Sequence, residues 1–347
     1  MSGRPSARRS RTVPAAALAA VLALLLAPGA AARAAQSGEE SRRTLSALMK
    51  IPAEPPAVRV EIASRQTEDG LIVEDLSWES LDGQRASAIV IRPAAGGRRP
   101  AIIALHGTGG SRESMTTAAF GPGDWTRPGD DKPHRRMLGW ARELARRGYV
   151  TLALTQRGLD RRAPPDTNDQ AKDLLVRGRT LMGAIVHEIR QAVTYLEQRE
   201  DVERDRIGVT GMSFGGITAF YTWAVDGRVA AAASICGGVG SIDVLLRQGR
   251  PSYHGFYWWI PDIVTRGDQA AFAAALAPRP LMLWAPQSDI GMPKAGVDRF
   301  VEHVRPAYAR AGADANFVVH QPAGEHEFTP AAFDAMARFF GTALARR

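Results

Sequence analysis

The stretch Arg206–Gly216, RIGVTGMSFGG, constrains the fold of this chain more than any other. Ile207–Thr210 reads as a short buried strand. Gly211-Met212-Ser213-Phe214-Gly215 fits G-x-S-x-G, and the chain then turns apolar and helix-compatible, ITAFYTWAV. Strand, sharp turn and helix form the setting in which this motif lifts a serine hydroxyl above the end of a sheet. The flanking glycines leave room for the turn and for close packing of strand on helix. The N–H of Phe214, at the helix start, then points to where an oxyanion would form. A glycine-rich turn with an incidental serine is the plain alternative, and the rest of the chain must decide between them.

The segments around this turn alternate. Val58–Ala63, Leu71–Trp78 and Arg85–Arg92 read as three strands with turn residues between them, an antiparallel edge to a larger sheet. Pro100–Leu105 is continuously apolar, as expected of a strand buried on both faces. A Gly-, Pro- and Asp-rich loop follows to about Pro133, then a helix over Arg136–Arg147 and a strand over Tyr149–Leu154. Ala171–Glu197 reads as one long amphipathic helix, with Leu181, Ile185, Ile189, Ala192 and Leu196 on one face. Val229–Cys236, Pro280–Ala285 and Asn316–His320 are further strands, and Lys294–Ala311 and Pro330–Ala345 further helices. This order predicts an α/β fold, a mostly parallel, doubly wound sheet with helices on both faces. The exception is residues 237–277, an insert with Tyr253, His254, Phe256, Tyr257, Trp258 and Trp259 close together. It reads either as a satellite hydrophobic cluster or as a wall over Ser213, with His254, Tyr257 and Trp258 as candidate substrate contacts.

A serine hydroxyl needs a base to take its proton and a third group to orient that base. In this topology the acid and then the histidine follow the serine, each in a loop after a strand. Asp289 follows the strand Leu281–Ala285 and is the candidate acid; Asp243 is the runner-up, and Asp262 and Asp298 are less well placed. Of seven histidines, His326 lies between the last strand and the last helix and is the candidate base. The second oxyanion donor should come from the loop His106-Gly107-Thr108-Gly109, with Thr108 N–H first and Gly109 as the alternative. His106 reads as a residue that fixes this loop by hydrogen bonding. No G-K-[ST] follows it, which argues against a phosphate loop.

HGTGGS at 106–111, GMSFGG at 211–216, Asp289 in APQSDIGMP and His326 in GEHEF resemble the α/β-hydrolase superfamily in order and spacing. Within it the chain is similar to the dienelactone-hydrolase-like and acetyl-xylan-esterase-like branch, near prolyl-oligopeptidase-type hydrolase domains; HGFYWWIPDI and LAPRPLMLW carry that likeness. The resemblance implies an α/β-hydrolase fold from Val58 onward. It implies a carboxylic ester hydrolase with a Ser213–His326–Asp289 triad, an acyl-enzyme and no cofactor or metal. Small-molecule or carbohydrate esters are the implied substrates. Dienelactone hydrolases proper use a cysteine nucleophile, whereas Ser213 stands here. A small-peptide peptidase or amidase is the second reading, although the short lead-in leaves no room for a propeller domain. A hydrolase fold kept as a binding module is the third.

The N-terminus reads as an export signal over residues 1–34: an arginine-rich start, the 13-residue apolar run Ala15–Ala27, then Ala32-Arg33-Ala34 before the cleavage point. The run is short for a membrane span, so no stable insertion is expected after cleavage. Arg8-Arg9 hints at twin-arginine export, but Ser10-Arg11-Thr12 is not apolar. Residues 35–57 read as a loosely ordered lead-in to a single domain, 58–347. The formal charge of +8 is concentrated at the start; without the five arginines of residues 1–34, 39 basic residues face 36 acidic ones. No basic patch with interleaved aromatics is visible, which argues against nucleic acid as a partner. Cys236, the single cysteine, excludes an internal disulfide and reads as a core residue.

Overall fold

A computed structural model describes residues 37–125 and 134–346. The expected export signal lies outside the described residues. The strands are β1 (Val60–Glu68), β2 (Leu71–Glu79), β3 (Arg85–Pro93), β4 (Arg99–Leu105), β5 (Gly121–Trp125), β6 (His134–Leu138), β7 (Val150–Leu154), β8 (Val202–Met212), β9 (Val229–Ile235), β10 (Leu281–Trp284) and β11 (Phe317–His320). Nine of them form one sheet in the order β1-β2-β3-β7-β4-β8-β9-β10-β11, and β5 and β6 pair as a separate hairpin. Pairings from β1 to β7 across the edge are antiparallel. Those from β7 to β11 are parallel. This is the α/β-hydrolase architecture with its antiparallel edge, as the alternation predicts.

The helices are α1 (residues 37–49), α2 (Arg112–Thr116), α3 (Trp140–Arg146), α4 (Thr167–Val176), α5 (Leu181–Gln198), α6 (Phe214–Val225), α7 (Ile242–Arg247), α8 (Asp268–Ala275), α9 (Lys294–Arg310) and α10 (Pro330–Ala343). They cover both faces of the sheet because the strand period sends alternate side chains to opposite sides. Ala101, Ile103 and Leu105 of β4 pack with α1, α5 and α6. Ile102 and Ala104 pack on the other face with α3 and α10. The parallel strands therefore read as unbroken apolar runs.

Three sequence expectations are corrected. Residues 37–57 are not loosely ordered: Leu45 and Met49 of α1 are fully buried. Arg190 of α5 reaches back to the carbonyls of Pro52, Ala53 and Glu54. Gly183 lies so close that a Cβ there would stand 1.9 Å from Met49 O. The long helix expected over Ala171–Glu197 is two, α4 and α5. Gly178, at φ +70°, ends the first. Thr180 starts the second, its side chain accepting from Gly183 N–H at 3.0 Å. The helix expected from Arg136 begins only at Trp140, because residues 134–138 pair with β5. Among the described residues, no helix is long and apolar enough to cross a membrane.

Candidate active site

Four parallel strands, β4, β8, β10 and β11, end on one side of the sheet, where open α/β sheets hold their sites. Ser213 follows β8 at φ 56°, ψ −116°, a conformation few non-glycine residues adopt. Its backbone is held there: its N–H donates to Ile235 O at 2.8 Å and its carbonyl accepts from Gly216 N–H at 2.9 Å. The glycines are required by close approach. A Cβ on Gly215 would stand 2.1 Å from Leu105 O, and one on Gly211 2.5 Å from the same atom.

The structure brings Ser213, His326 and Asp289 together. His326 Nδ1 lies 2.8 Å from Asp289 Oδ2, and His326 Nε2 lies 2.9 Å from Ser213 Oγ. A carboxylate only accepts, so Nδ1 carries the ring proton in the neutral histidine and Nε2 is left to accept from the serine. Asp289 is buried, 2% exposed, and its second oxygen accepts from Gly291 N–H at 2.9 Å. The arrangement can pass a proton from a serine hydroxyl to an imidazole whose orientation a carboxylate fixes. Asp243, the rival acid, lies elsewhere, paired with Arg247 and Arg299 on the surface.

The loop after β4 borders the serine. A Cβ on Gly107 would stand 3.2 Å from Ser213 Cβ. Among the described residues no acceptor engages the N–H of Thr108, Gly109 or Phe214, so these donors are free to face a ligand. His106 fixes the loop: its Nδ1 donates to Gly107 O at 2.9 Å and its Nε2 accepts from Gln156 N–H at 3.1 Å. Burial pushes its pKa down to about 4, which keeps the ring neutral in this role. Gln156 also donates to His106 O and accepts from Thr218 of α6 at 2.8 Å. Gln156 belongs to no motif that the sequence displays. Its signal is its place at the end of a core strand beside β4.

A cavity of about 100 Å³ opens between this loop, β6 and α3, walled by Met115, Met137, Leu138, Trp140, Met212 and Phe328. It meets the serine through Gly107 and Met212. Arg136, whose guanidinium donates to Thr108 O, lies at its rim, with burial lowering its pKa to about 10. On the other side of the turn the insert packs down, with the Tyr257 ring 4.2 Å from that of Phe214. His254 is half-buried beside the acid loop. Trp258 is corrected as a direct substrate contact: only 1% exposed, its ring is stacked on His254 and offers no surface to a ligand.

Cys236, in the core as expected, lies behind the acid, its thiol donating to Glu327 O at 3.5 Å. The thiol sulfur and the side-chain ligand atoms of Asp289 and His326 lie within 4.8 Å of one another. Burial pushes the thiol pKa well up, so it remains a neutral donor, and both His326 nitrogens already have partners. The geometry is that of a hydrogen-bonded cluster more than of a metal centre.

The sequence pattern of the dienelactone hydrolase family matches residues 133–331, more than half of the chain. The chain is 27% identical over 290 residues to YtaP of Bacillus subtilis (strain 168), a candidate hydrolase, covering 83% of this chain and 94% of that protein. Its fold is similar to that of a candidate acetyl xylan esterase of Bacteroides fragilis NCTC 9343, with TM-score 0.66, 22% identity and coverage of 82% and 74% of the two chains. It is also similar to the glucuronoyl esterase of Solibacter usitatus, with TM-score 0.64, 16% identity and coverage of 88% and 92%. At these identities the two solved structures speak for the fold.

Proposed function

Because this chain belongs to the dienelactone hydrolase family, we propose that it is a serine-dependent carboxylic ester hydrolase for short acyl groups on small-molecule or carbohydrate alcohols. The observation that carries the reading is the relay from Ser213 Oγ through His326 to Asp289, at 2.9 and 2.8 Å. On this reading Ser213 attacks the ester carbonyl while His326 Nε2 takes the hydroxyl proton. Asp289 holds the ring and stabilises the imidazolium. The N–H groups of Phe214 and Thr108 receive the oxyanion, with Gly109 as the alternative second donor. His326 then returns the proton to the departing alcohol. Water, deprotonated by the same nitrogen, hydrolyses the acyl-enzyme and frees Ser213. The chemistry needs no metal or organic cofactor.

The size of the acyl group is argued from the cavity beside Gly107 and Met212. At about 100 Å³ it is smaller than the ~150 Å³ cavity that takes a benzene ring. An acetyl to butyryl chain fits that space among methionine and aromatic walls. The name of the similar acetyl xylan esterase agrees with an acetyl group on a carbohydrate alcohol. Export is part of the proposal, on the strength of the arginine-rich start and the apolar run Ala15–Ala27.

The test is labelling of the purified protein by a fluorophosphonate, beside Ser213→Ala. This is followed by a panel of p-nitrophenyl esters from acetyl to octanoyl and a set of aminoacyl anilides. Labelling lost in Ser213→Ala, with turnover confined to the short esters, is the expected result. Faster cleavage of the anilides would move the chain to the amidases. An unlabelled, folded wild type would leave a binding module.

A further inference from the structure

The acid loop is gripped from outside by the aromatic insert. After β10 the chain turns at Asp289-Ile290-Gly291, and the two ends of the Gly291 residue point to different partners. Its N–H donates to Asp289 Oδ1 at 2.9 Å. Its carbonyl lies 2.8 Å from His254 Nε2. A carbonyl only accepts, so His254 carries its proton on Nε2 and donates it there. Asp289 Oδ2 is the oxygen that faces His326. The line of contacts therefore runs from His254 through Gly291 to the acid, the base and Ser213.

The ring that makes this contact is held firmly. It stacks on Trp258, with centroids 4.2 Å apart and planes inclined by 20°. Trp259 meets Trp258 edge-on at 4.9 Å and returns its indole N–H to His254 O at 3.3 Å. The backbone of Gly238 closes the other side: a Cβ there would stand 3.3 Å from His254 Nε2 and 3.2 Å from Trp258 Nε1. Gly238 is at φ +72°, which adds a second reason for glycine. Burial lowers the His254 pKa to about 4, so the ring is a neutral donor and adds no charge beside His326.

We infer that His254 is a positioning residue, carried by the insert, that sets the orientation of Asp289 through the turn Asp289–Met292. The inference rests on reading Ser213, His326 and Asp289 as the catalytic set. It assigns the insert a task that differs from covering substrate. With the His254 donor gone, the Gly291 carbonyl loses its partner, and the Gly291–Met292 peptide, whose Met292 N–H donates to Asp289 O at 3.2 Å, can rotate; the turn that also places Gly291 N–H on Asp289 Oδ1 then loosens. Small displacements of orienting groups act on the transition state more than on ground-state binding.

The experiment uses the full chain, p-nitrophenyl acetate and fluorophosphonate titration of active sites. His254→Phe keeps a ring to stack on Trp258 and removes the donor. His254→Gln places an amide N–H where Nε2 stands. The expected result is a fall of about 10- to 100-fold in kcat per titrated site for His254→Phe, with KM changed by less than about 3-fold. His254→Gln should recover most of the loss. A rise in KM at unchanged kcat would make His254 a substrate contact and overturn the inference. An unchanged kcat per titrated site, with fewer titratable sites, would reduce its role to packing and overturn it equally. If His254→Phe does not fold, His254→Asn, too short to reach Gly291, replaces it under the same two criteria. A wild type that the probe does not label, or a Ser213→Ala variant of full activity, would instead sink the catalytic reading and this inference with it.

Discussion

Ser213 offers a direct measure of the strain that the turn imposes. Its φ of 56° and ψ of −116° suit glycine and penalise any residue with a Cβ. The peptide cannot relax away, because Ile235 O and Gly216 N–H hold it from both sides. A non-glycine residue held in such a region costs about 1–3 kcal/mol. Ser213→Ala and Ser213→Gly both remove Oγ and its contact with His326, so their difference isolates the backbone. Glycine escapes the Cβ penalty but gains about 0.5–1 kcal/mol of unfolded-chain freedom. The glycine variant should therefore be more stable than the alanine variant by about 0.5–2 kcal/mol. Taking ~2 °C per kcal/mol for a domain of this size, that is roughly 1–4 °C in Tm. Urea and thermal unfolding of the two variants side by side provide the assay, and both should be inactive. A glycine variant no more stable than the alanine variant would refute the claim that the turn is strained at Ser213.

Shortening a cavity wall should change acyl selectivity. With Met137→Ala or Met115→Ala, each further methylene accommodated contributes about 0.8 kcal/mol, or roughly 4-fold in the hexanoate-to-acetate ratio of kcat/KM. A ratio unchanged in both variants would show that the acyl chain lies elsewhere. Leu45→Ala should cost about 2–5 kcal/mol in urea unfolding, since Leu45, on the inner face of α1, is fully buried; a cost near zero would mean that α1 is not part of the cooperative core. Stability should also fall in acid. Burial holds His106, His187 and His254 near a pKa of about 4, against an ordinary value of 6.5, so between those pH values the unfolded chain binds three protons that the native chain does not. The contribution is full above pH 6.5 and is lost as pH falls toward 4, at up to about 4 kcal/mol per pH unit for the three. Urea midpoints measured between pH 7 and 4.5 test this; His187→Leu should lower the slope by roughly a third, and a flat profile would contradict it.

The part of the site that was legible in the chain is the part built from short segments. Arg206–Gly216 contains its own strand, turn and helix start, so the elbow could be read without knowing any neighbour. Asp289 and His326 could be picked out because each lies in a loop after an apolar run, and a parallel sheet brings such loops to one side. The misreadings share a different character. Residues 37–57 look polar and loose in isolation, and become ordered because Arg190, more than 130 positions away, binds their carbonyls. The break between α4 and α5 depends on one glycine in a pattern whose hydrophobic period hardly falters. Residues 134–138 carry a helix-compatible pattern and instead pair with β5.

The sequence by itself determined the α/β alternation, the antiparallel edge, the strained serine turn and the order of serine, acid and histidine. These follow from side-chain period and from backbone sterics, which act between near neighbours. Only the tertiary structure decided that His106 is locked by Gln156, that Trp258 lies beneath His254, and that His254 grips Gly291 beside Asp289. Each of these joins groups from separate elements. Which buried donor meets which acceptor is chosen by packing in three dimensions, where burying an unpaired polar group is costly and the partner can lie anywhere in the chain.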